Sequence, residues 1–260
     1  LLVNNVRTVS DTKRAFYGQH TRPINAIYRR VIEELMVEMH LLLVNADFNY
    51  DSIYALGVVS TYDRFMQGYE PVADRDAMYT AIVQAVQADP AQYRQDAEEV
   101  LTAAKSIATL DEFKALVEAA KSEGGSEPLK ANLHKVISNP KFKYSRLFAI
   151  GLYNIAEAVD AEALKAKEKR EALFGSLAET FGLNADLLKK DIDLYRSNLE
   201  KMVQAQEVMK DMIEAEKKKK AKREEDRKKR TEAKAEDKPS EDKPSEDKSG
   251  ESAVADAEVE

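Results

Sequence analysis

Apolar residues recur at spacings of three and four from Ile24 onward: Ile24, Ile27, Tyr28, Val31, Ile32, Leu35, Met36, Met39, Leu42 and Leu43. This is one stripe of a 3.6-residue period, with Arg29, Arg30, Glu33, Glu34 and Glu38 off it. It predicts an amphipathic helix that opens at Arg22-Pro23, where a proline suits the first turn, and ends near residues 45–49. Asp51 or Ser52 is placed to cap a second helix carrying Ile53, Leu56, Val59, Tyr62, Phe65, Met66 and Tyr69, closing at Gly68–Pro71. Asp74 is expected to cap a third and Asp89-Pro90 to open a fourth. Leu110–Ala120 makes a fifth, ended by Gly124-Gly125, and Ser126–Leu129 reads as a cap and a further start. Asn139-Pro140 breaks the chain again.

No proline follows Pro140 until Pro239, so long helices are permitted there. Tyr144, Leu147, Phe148, Gly151, Leu152 and Ile155 form another stripe, in which Gly151 allows close helix packing. A helix over about 160–181 is stopped by Gly182. Then Leu188, Ile192, Tyr195, Leu199, Met202, Gln206, Met209 and Ile213 alternate steps of four and three, the seam of a coiled coil with one polar position. The same register continues into Glu216, Lys220, Arg223 and Arg227, where the seam is charged. The seam can close within the body or between two chains.

Every period is helical, and no strand–helix alternation is present from which to build a nucleotide-binding sheet. The expected fold is all-α: a multi-helix globular body over 1–183, and a long C-terminal coiled-coil-like helix over 184–230, apolar to about 213. An acidic low-complexity tail over 231–260 is expected to be disordered.

Charge sharpens the last boundary. Residues 217–230 carry 10 basic and 3 acidic groups, and residues 231–260 carry 4 and 11. The two stretches cancel, so residues 1–216 hold the whole net charge of −7. From residue 217 on there is no aromatic residue, leucine, isoleucine or methionine. Such a segment buries too little apolar area to offset the roughly 1–2 kcal/mol of backbone entropy per ordered residue.

Composition removes whole classes of chemistry. Without cysteine there is no disulfide, thiol nucleophile or iron–sulfur cluster. His20, His40 and His134 lie far apart, so the sequence holds no local metal motif. The run Leu41-Leu42-Leu43-Val44 falls far short of the ~18 residues needed to cross a bilayer. No dinucleotide, phosphate-loop, zincin or serine-hydrolase motif occurs. The expectation is a protein that is not an enzyme and uses no cofactor.

Binding is the alternative to catalysis. Eight of the 11 tyrosines fall in the first 93 residues. Tyrosine can build a contact surface, but Tyr54, Tyr62 and Tyr69 sit on core stripes and read first as core. Side chains set off the stripes are the candidates for a partner-binding surface: Arg64, Arg146, Tyr153 and Arg196 in the body, and Lys217, Lys220, Arg223 and Arg227 on the charged continuation. The basic run could attract anionic lipid at ~1 kcal/mol per residue, or be a solvated extension. It lacks stacking aromatics and precedes an acidic tail, so nucleic acid is not an expected partner.

Longer motifs carry a family resemblance. Thr8-Val9-Ser10-Asp11-Thr12-Lys13, His20-Thr21-Arg22-Pro23-Ile24, Phe48-Asn49-Tyr50-Asp51 and Tyr62-Asp63-Arg64-Phe65-Met66-Gln67-Gly68-Tyr69 are joined by residues 142–152, FKYSRLFAIGL, and 193–199, DLYRSNL. Together, over about residues 5–216, they resemble the thylakoid-formation protein family, a photosystem II biogenesis and repair factor, and the absence of a transit segment looks cyanobacterial. The resemblance implies an all-helical fold with a C-terminal coiled-coil helix and no catalytic residues. It implies peripheral association with the thylakoid membrane surface on its cytoplasmic (stromal-equivalent) side. It also implies partnership with an FtsH-type membrane metalloprotease complex and with photosystem II components. Rival readings are a structural protein acting directly on thylakoid lipid and an enzyme acting on pigment or lipid.

Overall fold

Most helix starts are written in the chain as one short polar residue. In a computed structural model that describes residues 7–236, Thr8, Asn25, Asp51, Asp89, Thr109 and Ser145 each accept a hydrogen bond from a backbone N–H of the turn they open. Each such cap stabilises its helix by roughly 0.5–2 kcal/mol. The helices are α1 Val9–Gln19, α2 Ala26–Leu43, α3 Ser52–Phe65, α4 Ala73–Ala85, α5 Pro90–Lys105 and α6 Leu110–Ala119. They continue as α7 Pro128–Ile137, α8 Arg146–Asp160, a 3-10 turn Ala163–Lys165, α9 Lys167–Phe181 and α10 Ala185–Glu236. No strand occurs among the described residues. One compact unit extends to Gln206 and a second begins at Glu207, inside α10.

The core of the first unit is built on α3. Every residue from Ile53 to Ser60 is buried, so this stretch of the helix has no solvent face. It packs most extensively on α8 and α5. Residues 147–156 of α8 are buried as well. Two helices this hydrophobic can approach closely only where side chains are missing, and glycine supplies the gap on both. A Cβ on Gly57 would lie 2.6 Å from the Leu147 carbonyl carbon and 3.2 Å from the Gly151 nitrogen. A Cβ on Gly151 would lie 2.8 Å from the Ile53 carbonyl carbon.

Tyrosines fill the space around this pair. Tyr28, Tyr54, Tyr62, Tyr69, Tyr79 and Tyr93 are buried, with ring neighbours such as Tyr54 and Tyr93 5.9 Å apart. Their phenol ends reach polar groups where they can: Tyr50 donates to Asp96 at 2.7 Å and Tyr62 to the Arg75 carbonyl. Arg94 caps the Tyr79 ring face at 4.1 Å. The first 93 residues therefore use tyrosine mainly as core.

Several boundaries differ from the sequence reading. Helix α1 was not among the expected helices, although Thr8 and Asp11 form a capping box. Helix α2 begins at Ala26 rather than at Arg22-Pro23, because Asn25 accepts from the Ile27 N–H and sets the start. Asp74 caps nothing: it lies inside α4 and pairs with Arg22 at 2.6 Å. Helix α9 starts at Lys167, after the 3-10 turn, and ends at Gly182 with φ +67.

The seam of α10 is buried at Leu188, Ile192, Tyr195 and Met202. In the second unit, Val208, Met212 and Ile213 are exposed, and so is each side chain described from Lys210 to Arg227. Residues 231–236, placed in the tail from sequence, are helical here. The remainder of that expected disordered tail, residues 237–260, lies outside the described residues.

Candidate functional site

A cavity of about 420 Å³ opens on the first unit between α2, α3, α8 and the Leu194–Ala205 stretch of α10. Helix α2 contributes Ile27, Val31, Glu34 and Glu38, in steps of four, three and four. Helix α10 contributes Leu194, Asn198, Lys201 and Ala205 in the same steps. This second row lies one face over from the buried seam. Phe65 of α3, Leu147 and Ile150 of α8 and Met202 of α10 supply hydrocarbon to the lining. The apolar rim is visible to solvent, with Ile27 36% and Leu194 41% exposed.

Two ion pairs settle most of the charge in this groove. Arg146 grips Glu38 at 2.6 Å, and Arg30 holds Glu34 at 2.8 Å one helical turn away. Burial pushes the Glu38 carboxyl above its ordinary range, against the pull of Arg146. Arg30 and Glu34 are exposed, so their pair contributes little to stability. Lys201 is exposed and has no carboxylate partner among the described residues. Thr61 Oγ1, also in the lining, is buried without a hydrogen-bond partner.

The residues singled out from sequence fall in three places. Arg146 lines the groove. Arg64 and Tyr153 gather elsewhere, around Glu157, with Arg196 beside Tyr153. Arg64 bonds the Glu157 carboxylate, and Tyr153 donates to it at 3.0 Å. Burial raises the Tyr153 phenol pKa, while Arg196 beside it acts to lower it. Tyr153 is only 6% exposed, so its ring packs against Phe174 and Tyr195 inside the fold. Lys217, Lys220, Arg223 and Arg227 are exposed on the second unit. The α2 residues of the groove and the row Leu194–Ala205 were not singled out; their spacing is readable, but only the tertiary structure sets the two rows opposite each other.

Two of the three histidines hydrogen-bond within the fold. His40 Nδ1 lies 2.9 Å from the Thr12 hydroxyl, and His134 Nδ1 lies 2.7 Å from the Ala120 carbonyl. Among the described residues no group of three His, Asp or Glu side chains could hold a metal ion. No helix among them is long and apolar enough to cross a membrane. A smaller hollow is lined by Asn49, Asp51, Lys135, Val136, Asn139 and Phe142. There Asp51 is buried as the cap of α3, and burial raises its pKa to about 6.

What this arrangement offers chemically is an apolar groove with paired charges, and an exposed basic helix. Comparison with known proteins gives both a biological setting. Residues 8–224 match the family model described as Thylakoid formation protein. The chain is 52% identical over 218 residues to Protein Thf1 of Trichormus variabilis, covering 84% of this chain and 93% of that protein. It is 50% identical to Protein Thf1 of Gloeothece citriformis, covering 84% and 96%. The solved structure of Psb29 at 1.55 Å superposes with a TM-score of 0.72 at 41% identity, over 83% of this chain and 99% of that one. With its helical fold and most of its length accounted for, the chain belongs to the thylakoid formation protein family.

Proposed function

We propose that the protein is a non-catalytic adaptor in thylakoid biogenesis and photosystem II repair, binding and supporting an FtsH-type membrane protease complex at the thylakoid surface. Membership of the thylakoid formation family supports the setting. The observation that carries the adaptor reading is the change of character along α10. Its seam is buried as far as Met202, yet Val208, Met212 and Ile213 are exposed just before a run of four lysines, 217–220. Exposed apolar side chains beside a dense basic run mark an interaction surface, because a purely solvated helix has no use for either together.

In this reading Lys217, Lys220, Arg223 and Arg227 meet an acidic face of the protease complex, and the membrane association is peripheral, on the cytoplasmic side. The test is recovery of the protease from solubilised thylakoids with tagged full-length protein and with a triple variant, Lys217→Glu, Lys220→Glu and Arg223→Glu. A large drop in recovery is the expected result. Equal recovery by both proteins eliminates the basic run as the docking element. Absence of the protease from the wild-type eluate, at low and moderate salt, removes the adaptor reading itself.

A further inference from the structure

The groove between α2 and α10 combines three properties that point to one kind of ligand. Its volume, about 420 Å³, lies in the range of small-molecule sites, roughly 300–1,000 Å³. Its lining is largely hydrocarbon, contributed by Val31, Leu35, Phe65, Leu147, Ile150 and Met202. Its acids are already matched, Glu34 by Arg30 and Glu38 by Arg146, so the uncompensated charge of the lining is the ammonium of Lys201.

We propose that this groove binds a single-chain anionic amphiphile, its hydrocarbon tail along the apolar lining and its anionic head at Lys201. A neutral hydrocarbon would forgo the attraction of Lys201, and a cation would be repelled by it. A hydrophilic anion would gain nothing from the lining, where each buried CH₂ is worth about 0.8 kcal/mol. The half-open rim, with Ile27 and Leu194 exposed, admits a chain without a lid. The site belongs to the first unit and does not depend on the adaptor role of the basic helix.

The test uses the full-length protein and calorimetric titration with monomeric dodecanoate, dodecanol and hexanoate. Dodecanoate is expected to bind once per chain, and hexanoate to give no saturable heat. Lys201→Glu should weaken dodecanoate roughly two- to fivefold, the worth of one exposed ion pair, and leave dodecanol unchanged. Ala205→Trp, which fills the groove from α10, should abolish both ligands. If that variant fails to fold, Leu194→Gln on the rim should weaken both. A parallel arm sediments the same proteins with vesicles of phosphatidylglycerol. The groove site predicts equal vesicle binding by wild type and Lys201→Glu. The proposal is overturned if dodecanoate gives no saturable binding to the wild type, or if a folded Ala205→Trp binds it normally. It is equally overturned if Lys201→Glu leaves dodecanoate binding unchanged, whatever it does to vesicle binding.

Discussion

Gly57 of α3 and Gly151 of α8 face each other across a close crossing in the core, each seated against the backbone of the other helix. The arrangement is reciprocal. Gly57 lies on the Leu147 carbonyl, and Gly151 lies on the carbonyl of Ile53. Backbone cannot rotate out of the way as a side chain can, so neither position has room for a methyl group.

Gly57→Ala and Gly151→Ala should therefore each destabilise the fold by about 3 kcal/mol or more, at or beyond the upper end of ordinary overpacking. Gly18 is the control: a Cβ there meets nothing within 4 Å, and the residue lies in α1. Gly18→Ala should stabilise by roughly 0.5–1 kcal/mol through helix propensity. Urea unfolding midpoints decide it, and a loss at Gly57 no larger than the change at Gly18 would refute the crossing as described.

Asp51 gives a prediction about pH. Burial raises its pKa to about 6, while hydrogen bonding from the Tyr54 N–H, 2.7 Å away, pulls the other way. Its folded pKa thus lies above the unfolded value of about 3.9, and the folded state holds the proton more tightly. The penalty is full above pH 6 and fades as pH falls towards 4. Asp51→Asn keeps an accepting oxygen for the cap and removes the charge. It should be more stable than wild type by a few kcal/mol at pH 7, with the gap closing near pH 4. A gap that does not change with pH would contradict this.

Substitutions along α10 should divide the seam. Ile192 is 1% exposed and Ile213 is 46% exposed. Ile192→Ala should cost about 2–5 kcal/mol, and Ile213→Ala no more than about 0.5 kcal/mol. Thermal unfolding of the two variants separates them. Similar losses at both positions would mean that the apolar register stays buried as far as residue 213.

Arg64 stands out in sequence as a surface candidate, but its guanidinium is committed to Glu157, which also receives the Tyr153 hydroxyl. Arg64→Ala should lower stability by roughly 1–3 kcal/mol, because it leaves a part-buried carboxylate without its cation. In Glu157→Gln the same substitution should cost less. A double-mutant cycle without coupling would show that Arg64 is free to serve a partner instead.

The all-α class was legible because helical amphipathy is a local property. The stripe through Tyr28, Ile32, Leu35 and Met39 fixes a buried face whatever lies across from it. Single residues fixed two starts for the same reason: Asp51 and Asp89 bond amides within their own turn. Gly151 could also be read as a close-packing residue from its place in an apolar stripe. The long motifs, which respond to the whole chain rather than to any one period, gave the family.

Pairings between distant segments could not be read in this way. Nothing near Asp74 announces that Arg22, 52 positions away, takes its carboxylate, so it looked like a cap. Arg146 and Glu38 are 108 positions apart, and their ion pair turns a surface arginine into part of a groove wall. Tyr153 lies off the apolar stripe of its helix yet is buried, because α9 and α10 close over α8. The groove is the clearest case. Each of its walls is a regular row that the sequence spells out, but a row becomes a wall only when a second row stands opposite. That placement is set by which buried faces of α2, α3, α8 and α10 must meet, and packing of that kind is a property of the assembled core rather than of any one segment.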